Sequence, residues 1–524
     1  MADPMHDAPI MSDMLIEGLN RYNDEPCMYL GGDVKTYKQV REMTSQLVQA
    51  LQSKGIEKGE RVAVVSGNRP EVLANIAAMQ IAGCVGTPLH PMGSLDDHAY
   101  VLEDASITTL IFDSSLFQQR AEELKEKVPG LKNLLGFGPT EVGDDYLALA
   151  ESFEPKALER PEVDPDDISS FTYTGGTTGK PKGVMQNYRC ASYMTMIQML
   201  EWEFPEELRM LIATPLSHAA AAFFIPVLQK GGAFYVMQGF SPDGFFDMVE
   251  EHKITATMLV PVMLYYVLDH PRAETADLSS LETIFYGASP ISPARLKEAI
   301  EKWGQIFYQF FGQSEAPMVL TNMRKSEHDL SKPERLASCG RPTPWMKLAL
   351  LDDDNNEVPK GEAGEICVRG PLVMQGYLNK PEQTEEALAG GWLHTGDVGK
   401  LDDDGFLYIV DRKKDMIVSG GFNVFPREAE DVISANESVA QVAVIGVPDE
   451  KWGEAVKAVV VLKPGAEASD ALVDEITNQV KDAKGSVYAP KSIDFVDMIP
   501  STPVGKPDKK VLRAQYWEGQ GRQV

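Results

Sequence analysis

The sequence predicts an α/β protein with one large N-terminal domain and one small C-terminal domain. At 524 residues the chain is too long for a single hydrophobic core. Short β-branched runs alternate with amphipathic stretches: residues 61–68 read as a strand and residues 36–55 as a helix that ends at a glycine. This alternation is typical of layered, mostly parallel sheets that are covered by helices.

Later segments extend the pattern and then change it. Further strand candidates lie at residues 108–113, 210–216, 255–261 and 283–289. From about Met346 the chain shows short strands separated by turns, which is typical of an antiparallel or barrel-like section. The last 110 or so residues read as a small α/β module. A charged connector precedes it, so we place the boundary at Lys413/Lys414, giving an N-terminal domain 1–413 and a mobile C-terminal domain 414–524.

Composition excludes several classes of protein. The net charge of −29 disfavours nucleic acid as a partner. No apolar run approaches the ~18 residues of a membrane helix, so no integral membrane segment is expected. The start of the chain lacks the features of a secretory signal. The five cysteines include no close pair, so we expect no disulfide framework and no zinc site, and a cytoplasmic location.

The segment YTGGTTGKPKG, residues 173–183, is the strongest functional signal. Ten residues from Thr174 contain four glycines, three threonines and two lysines. Glycine lets backbone N–H groups converge on an anion, while threonine adds hydroxyl donors and lysine adds charge. A plain glycine-rich surface turn would not require the threonines and lysines. The P-loop spacing fails, because three residues separate Gly175 from Gly179 and Pro181 occupies the Ser/Thr position.

This segment resembles the phosphate-binding signature of the adenylate-forming superfamily, which includes acyl-CoA synthetases, peptide-synthetase adenylation domains and firefly luciferase. Further segments of the chain match the family's motifs in order along nearly its whole length. They are TPLSH (214–218), FYGASP (285–290), FFGQSEA (310–316), GYLNKPEQT (376–384), GWLHTGDVG (391–399), residues 411–431 and PSTPVGKPDKK (500–510). The resemblance implies ATP, Mg²⁺ and coenzyme A as ligands.

The resemblance assigns the catalytic roles to four residues. Lys506 resembles the adenylation lysine, which supplies a cation where negative charge builds up in the transition state. Glu315 resembles the magnesium ligand, and Ser314 offers a hydroxyl to the α-phosphate. His218 resembles the aromatic gate residue beside the acyl carboxylate; a satisfied structural histidine is the alternative.

The resemblance also assigns the nucleotide contacts. Asp397 would accept hydrogen bonds from the ribose hydroxyls and Arg412 would add a ribose or phosphate contact, the alternative being an ordinary exposed ion pair. Phe311 stands where the family usually has tyrosine, so it keeps the stacking on adenine and lacks the hydroxyl. The implied nucleotide-binding set is Thr174, Gly175, Gly176, Thr177, Thr178, Lys182, Gly287, Ala288, Ser289, Phe311, Gly312, Asp397 and Arg412.

In the CoA ligases of this superfamily the C-terminal domain rotates on a hinge, which here corresponds to Lys414. The rotation would bring Gly420, Gly421 and Phe422 to the coenzyme A path. No acid lies near His218 to pair with an amino group, which argues against amino-acid substrates. The implied acyl pocket consists of His218, Ala219, Ala222, Met263, Phe310 and Pro317, although the alanines are also compatible with simple helix packing.

The sequence therefore predicts an ATP-dependent carboxylic acid–CoA ligase, with a medium- or long-chain fatty acid as substrate. Aryl-propenoic and steroid side-chain acids are the alternatives. A stand-alone adenylating enzyme that uses a carrier protein, and luciferase chemistry, are less favoured. A non-catalytic nucleotide-binding relative would be expected to lack Glu315 or Lys506, and both are present. A homodimer is compatible with the sequence.

Overall fold

A computed structural model describes residues 8–30, 33–174, 180–412, 415–419, 422–449, 452–501 and 507–517. The first large sheet has eight strands and is parallel except for two antiparallel pairings at one edge. Its strands in spatial order are Gly376–Tyr377, Lys182–Asn187, Ile168–Thr174, Val85–Pro88, Arg61–Val65, Thr109–Phe112, Asn133–Gly136 and Asp144–Asp145.

The second large sheet has nine strands, with a parallel centre and antiparallel strands at both edges. Its strands in spatial order are Arg341–Pro342, Ala316–Met323, Phe307–Gln313, Thr283–Gly287, Ala256–Leu259, Arg209–Ile212, Ala233–Val236, Pro26–Leu30 and Asp33–Thr36. One hydrophobic cluster contains side chains of both large sheets, such as Val62 and Ile212, so the two sheets share a core.

The antiparallel section predicted from about Met346 is confirmed as a four-stranded sheet, and a five-stranded mixed sheet follows it. The four strands in spatial order are Lys347–Leu351, Gly364–Arg369, Leu393–Leu401 and Leu407–Arg412. The last sheet has Phe422–Val424, Ile417–Ser419, Gly453–Leu462 and Val439–Asp449 in order, with Ser492–Phe495 parallel to Gly453–Leu462. Two hydrophobic clusters of this part contain only residues from Ile417 onward.

Helices cover these sheets, so the predicted α/β class is confirmed. The α-helices are Met11–Arg21, Tyr37–Ser53, Pro70–Ile81, Leu95–Asp104, Ser114–Lys127, Tyr146–Glu151, Tyr188–Glu201, Phe224–Gln229, Pro242–His252, Pro261–Leu268, Pro293–Trp303, Pro381–Ala387, Pro426–Ser434, Asp470–Lys484 and Lys509–Trp517. In the part of the chain that the structure describes, no helix combines the length and the apolar character that crossing a membrane requires.

Local sequence explains where the predicted elements begin and end. The helix predicted at residues 36–55 runs over Tyr37–Ser53, because Thr36 accepts a hydrogen bond from the Gln39 N–H and the Gln39 side chain accepts one from Thr36 N–H. The strand predicted at residues 61–68 ends at Val65, where the β-branched run gives way to turn residues. The polar ends of these two predicted segments therefore form loops.

Candidate functional site

A β-hairpin carries the glycine-rich segment. Ile168–Thr174 pairs antiparallel with Lys182–Asn187, and Thr174 lies opposite Lys182. Lys180 Nζ lies 4.7 Å from the centre of the Tyr100 ring, and Lys182 Nζ lies 4.6 Å from the centre of the Tyr377 ring. Both ammonium groups are thus held against ring faces at the base of the segment. Gly175, Gly176, Thr177 and Thr178 lie outside the described residues.

Glu315 lies in the turn between two antiparallel strands, and its carboxylate is held in place. The Tyr377 hydroxyl donates a hydrogen bond to Glu315 Oε1 at 2.8 Å, and Met374 N–H donates to the Glu315 carbonyl at 2.8 Å. Gln186 donates to the carbonyl of Ser314. Burial, followed by the Glu315 charge, raises the pKa of Tyr377, so its hydroxyl stays protonated and donates. The result is a half-buried, oriented carboxylate of the kind that a hard cation binds.

Two glycines allow neighbouring strands to approach closely beside this turn. A Cβ on Gly312 would lie 2.3 Å from Met318 N, and a Cβ on Gly287 would lie 2.3 Å from Phe310 O. Ala288 follows with a φ of +63°, a left-handed conformation that alanine rarely adopts. The strand Thr283–Gly287 runs parallel to Phe307–Gln313, which places residues 287–289 and residues 311–312 on adjacent strand ends. Ser289 and Phe311 are half-buried there.

The segment that carries Asp397 is joined to the Glu315 strand. Gln313 Nε2 donates to the carbonyl of Thr395 at 3.3 Å. Asp397 is half-buried and lies opposite Arg412 in the antiparallel pairing of Leu393–Leu401 with Leu407–Arg412. The structure therefore brings the Asp397–Arg412 pair alongside the turn of Glu315.

A Glu365–Cys367–His394 cluster braces the strand Leu393–Leu401 just before Asp397, where its pairing is irregular. Glu365 Oε1 accepts a hydrogen bond from Gly396 N–H at 3.0 Å, and Glu365 Oε2 lies 3.1 Å from His394 Nδ1. Cys367 Sγ lies 3.4 Å from the same nitrogen, and the ligand atoms of the three side chains lie within 4.8 Å of one another. Because these groups bond to one another and to the Gly396 N–H, they fix the backbone next to Asp397.

His218 precedes a 3₁₀-helix, Ala219–Phe223, and its side chain is exposed. Ser217 Oγ lies 2.8 Å from His218 Nδ1. The His90 ring packs edge to face on the His218 ring, with ring centres 4.7 Å apart. No sequence pattern singles out His90, because it lies far from His218 in the chain and the two residues belong to loops of different sheets.

The structure does not bring the predicted acyl-pocket residues into one cluster. Ala219, Ala222 and Pro317 are half-buried near the surface. Phe310 is only 2% exposed and stacks on Trp202 at 5.3 Å, inside a cluster of aromatic rings. Met263 is buried in a different hydrophobic cluster. The lining roles of Phe310 and Met263 stay predictions, and both side chains belong to cores.

The residues predicted to act from the C-terminal part are only partly described. Phe422 is 61% exposed, whereas Lys414, Gly420, Gly421 and Lys506 lie outside the described residues. The helix Lys509–Trp517 follows the Lys506 segment in the sequence and is tied to the start of this part by an ion pair, Arg513 to Asp415 at 2.8 Å. Lys509 pairs with Glu430 at 2.8 Å.

Comparison with known proteins gives consistent matches over most of the chain. Residues 16–378 match the family described as AMP-binding enzyme, and residues 428–506 match the AMP-binding enzyme C-terminal domain. A medium/long-chain-fatty-acid–CoA ligase, FadD8 of Mycobacterium tuberculosis, is 51% identical over 98% of this chain and 91% of its own. A feruloyl-CoA synthase of Amycolatopsis is 35% identical over 93% of this chain and 95% of its own.

Among solved structures, the amide bond synthetase McbA from Marinactinospora thermotolerans is similar in fold. It aligns with a TM-score of 0.87 at 32% identity, over 96% of this chain and 99% of its own. Two of these relatives are named for coenzyme A products, whereas McbA is named for an amide bond.

Proposed function

The chain belongs to the family of AMP-binding enzymes, and on that premise we propose that it is an ATP-dependent carboxylic acid–CoA ligase. The carboxylate oxygen attacks the α-phosphorus of ATP, and pyrophosphate leaves. The thiol of coenzyme A then attacks the carbonyl carbon of the acyl-adenylate, and AMP leaves with the oxygen that formed the bond to phosphorus. The observation that carries the proposal is the 51% identity with a fatty-acid–CoA ligase over 98% of this chain.

The nucleotide would lie across the strand ends that surround Glu315. The hairpin from Thr174 to Lys182 would hold the β- and γ-phosphates, with Gly175, Gly176, Thr177 and Thr178 supplying N–H groups and hydroxyls. Ser314 would contact the α-phosphate, while Gly287, Ala288, Ser289, Phe311 and Gly312 would line the adenine side. Asp397 and Arg412 would hold the ribose, which is supported by the brace of Glu365 on the adjacent Gly396 N–H.

Magnesium is proposed at Glu315. A cation that bridges phosphates prefers carboxylate oxygens, and the Tyr377 hydrogen bond orients this carboxylate before ligand binds. Lys182 lies against the same tyrosine ring, so the phosphate and cation sites share one support. The cation would neutralise charge on the phosphates as pyrophosphate leaves.

We propose a domain boundary at residues 413/414, with Lys414 as the hinge. The proposal is supported by the hydrophobic clusters, because those from Ile417 onward contain no residue of the N-terminal part. Lys506 would stabilise the charge at the α-phosphorus during adenylation. Gly420, Gly421 and Phe422 would line the coenzyme A path after rotation, and the 61% exposure of Phe422 suits a surface that meets a ligand.

The proposed acid is a medium- or long-chain fatty acid, as the name of the FadD8 relative suggests. An aryl-propenoic acid is the second candidate, and the feruloyl-CoA synthase relative favours it; a steroid side-chain acid is less supported. His218, Ala219, Ala222 and Pro317 would border this acid. A homodimer and a cytoplasmic location stay predictions; light scattering on the purified protein tests the first.

A pyrophosphate-release screen over a panel of acids, with and without coenzyme A, tests the proposal. The panel contains straight-chain acids of increasing length, a hydroxycinnamic acid and a steroid side-chain acid, and mass spectrometry identifies the acyl product. We expect release to depend on an apolar acid and an acyl-CoA to form. Formation of an amide with a supplied amine, and of no thioester, would instead indicate the activity for which McbA is named.

A further inference from the structure

Two loops from different sheets meet through a pair of histidine rings. His90 follows the parallel strand Val85–Pro88 of the eight-stranded sheet, and His218 follows the parallel strand Arg209–Ile212 of the nine-stranded sheet. Their ring centres lie 4.7 Å apart with an interplanar angle of 75°, an edge-to-face contact. Ligands of α/β sheets bind beyond the carboxyl ends of the strands, so this contact lies at the ligand end of both sheets.

The structure fixes His90 through its own loop. Met92 N–H donates to His90 Nδ1 at 3.0 Å, and Gly93 N–H donates to the His90 carbonyl at 2.9 Å. His98 Nε2 lies 2.8 Å from the same carbonyl, while Arg120 Nη1 lies 2.9 Å from His98 Nδ1. Burial lowers the pKa of His98, so it is neutral and donates from Nε2 to the carbonyl. His90 therefore has a backbone and a ring that are both held by hydrogen bonds.

The His218 segment is held by the same sheet as His90. Asn68, in the loop after Arg61–Val65, donates from Nδ2 to the Thr214 carbonyl at 3.0 Å and accepts from Leu216 N–H at 2.9 Å. This buried amide clamps the backbone just before His218. The exposed ring of His218 takes its orientation from its neighbours, Ser217 on Nδ1 and His90 on the ring. The clamp sets the backbone, whereas Ser217 and His90 orient the ring.

We infer that His90 is a positioning residue for acid binding, which acts by holding the His218 ring in one orientation over the acid. This inference rests on the proposed function, because the acid is the proposed substrate beside His218. An aromatic pair of this geometry corresponds to a factor of about 2 to 10 in an equilibrium constant. Loss of the His90 ring should therefore weaken acid binding by about that factor and leave ATP binding unchanged.

A double-mutant cycle tests the inference with wild type, His90→Ala, His218→Ala and the double variant, by pyrophosphate release with the acid varied at saturating ATP and ATP varied at saturating acid. We expect His90→Ala to raise the KM for the acid about 2- to 10-fold, with the KM for ATP unchanged. His90→Phe keeps a ring edge against His218 and should restore most of the loss. If His90 acts through His218, the double variant should match His218→Ala alone.

His252→Ala is the matched control, because the His252 ring also packs on an aromatic ring, that of Tyr29 at 4.3 Å, and belongs to neither the His90 loop nor the His218 loop. Its kinetics should equal those of wild type. Additive losses in the double variant, an equal rise in the KM for ATP, or no rescue by phenylalanine would overturn the inference. If wild type is active and His90→Ala has the same kinetics, the inference about His90 is overturned and the proposed function stands. If wild type releases no pyrophosphate with any acid, the proposed function is overturned as well.

Discussion

The part of the molecule before the Lys413/Lys414 connector and the part after it are organised differently. In the first part, two predicted site segments are braced from another strand: Tyr377 donates to Glu315, and Gln313 donates to the segment of Asp397. The second part has its own hydrophobic clusters. Polar contacts between the two include Ser292 Oγ to Ser434 Oγ at 3.1 Å and Arg427 N–H to Asp411 at 2.9 Å.

This difference suggests a division of labour. The first part orients groups in advance for a nucleotide, which lowers the cost of ordering them during the reaction. The proposed adenylation lysine, Lys506, belongs by sequence to the second part, so we propose that its contribution changes between the two half-reactions while the nucleotide groups stay in place. The predictions below test that division, in order of decreasing effect.

The largest effect is expected from Lys506→Ala. Loss of a positioned cation at the α-phosphorus should slow adenylate formation by about 10²- to 10³-fold. Thioester formation from supplied acyl-adenylate should be spared, because the adenylyl group has already been transferred and pyrophosphate has left. Pyrophosphate release measures the first half-reaction, and acyl-CoA formation from synthetic acyl-adenylate measures the second.

Lys414→Pro is the converse test of the same division. It should leave adenylation intact and reduce thioester formation, because proline fixes φ at the proposed hinge. An equal loss of both half-reactions in Lys506→Ala would contradict the two-step division of labour. Normal coenzyme A turnover in Lys414→Pro would argue against the boundary at residues 413/414.

The stability of the protein is expected to depend on pH through a carboxyl group at the junction between the two parts. Burial raises the pKa of Asp431, on the helix Pro426–Ser434, from 3.8 to about 6. A folded state that holds the proton more tightly loses stability as pH rises from 3.8 through about 6. At about 1.4 kcal/mol per pK unit, Asp431→Asn should stabilise the protein above this window by about 1–3 kcal/mol.

Thermal unfolding of Asp431→Asn and wild type across this pH window measures the effect. The difference between their midpoints should grow with pH and then level off. Asp474→Asn, on the exposed face of Asp470–Lys484, is the control, and it should show no such growth. A difference between the midpoints that stays constant with pH would contradict a raised pKa of Asp431.

The smallest effect is expected at the brace on the proposed magnesium ligand. Tyr377→Phe removes the donor to Glu315 and should raise the KM for magnesium–ATP about 2- to 10-fold, the net contribution of a typical intramolecular hydrogen bond. Tyr516→Phe removes a tyrosine–carboxylate hydrogen bond, to Asp494, in the second part. It should leave that KM unchanged, and equal effects of the two variants would weaken the contrast between the parts.

Sequence patterns predicted the fold class and the strand positions, because buried parallel strands are continuous β-branched runs that end in turn residues. The family resemblance named Glu315 and Asp397 as candidate site residues, because both lie within short motifs. Sequence patterns did not show Tyr377 as the partner of Glu315, because 62 positions of chain separate the two. Nor did they show that the Phe310 ring faces the aromatic cluster around Trp202, since that depends on how the second sheet packs.

The central claim, that an acyl-adenylate lies between the acid and the thioester, is tested most directly with oxygen-18. The enzyme is given coenzyme A, ATP and an apolar acid labelled in both carboxyl oxygens, and the masses of the products are measured by mass spectrometry. The account predicts one labelled oxygen in AMP, one in the acyl-CoA and none in pyrophosphate. Unlabelled AMP, or label in a phosphate released with ADP, would contradict it.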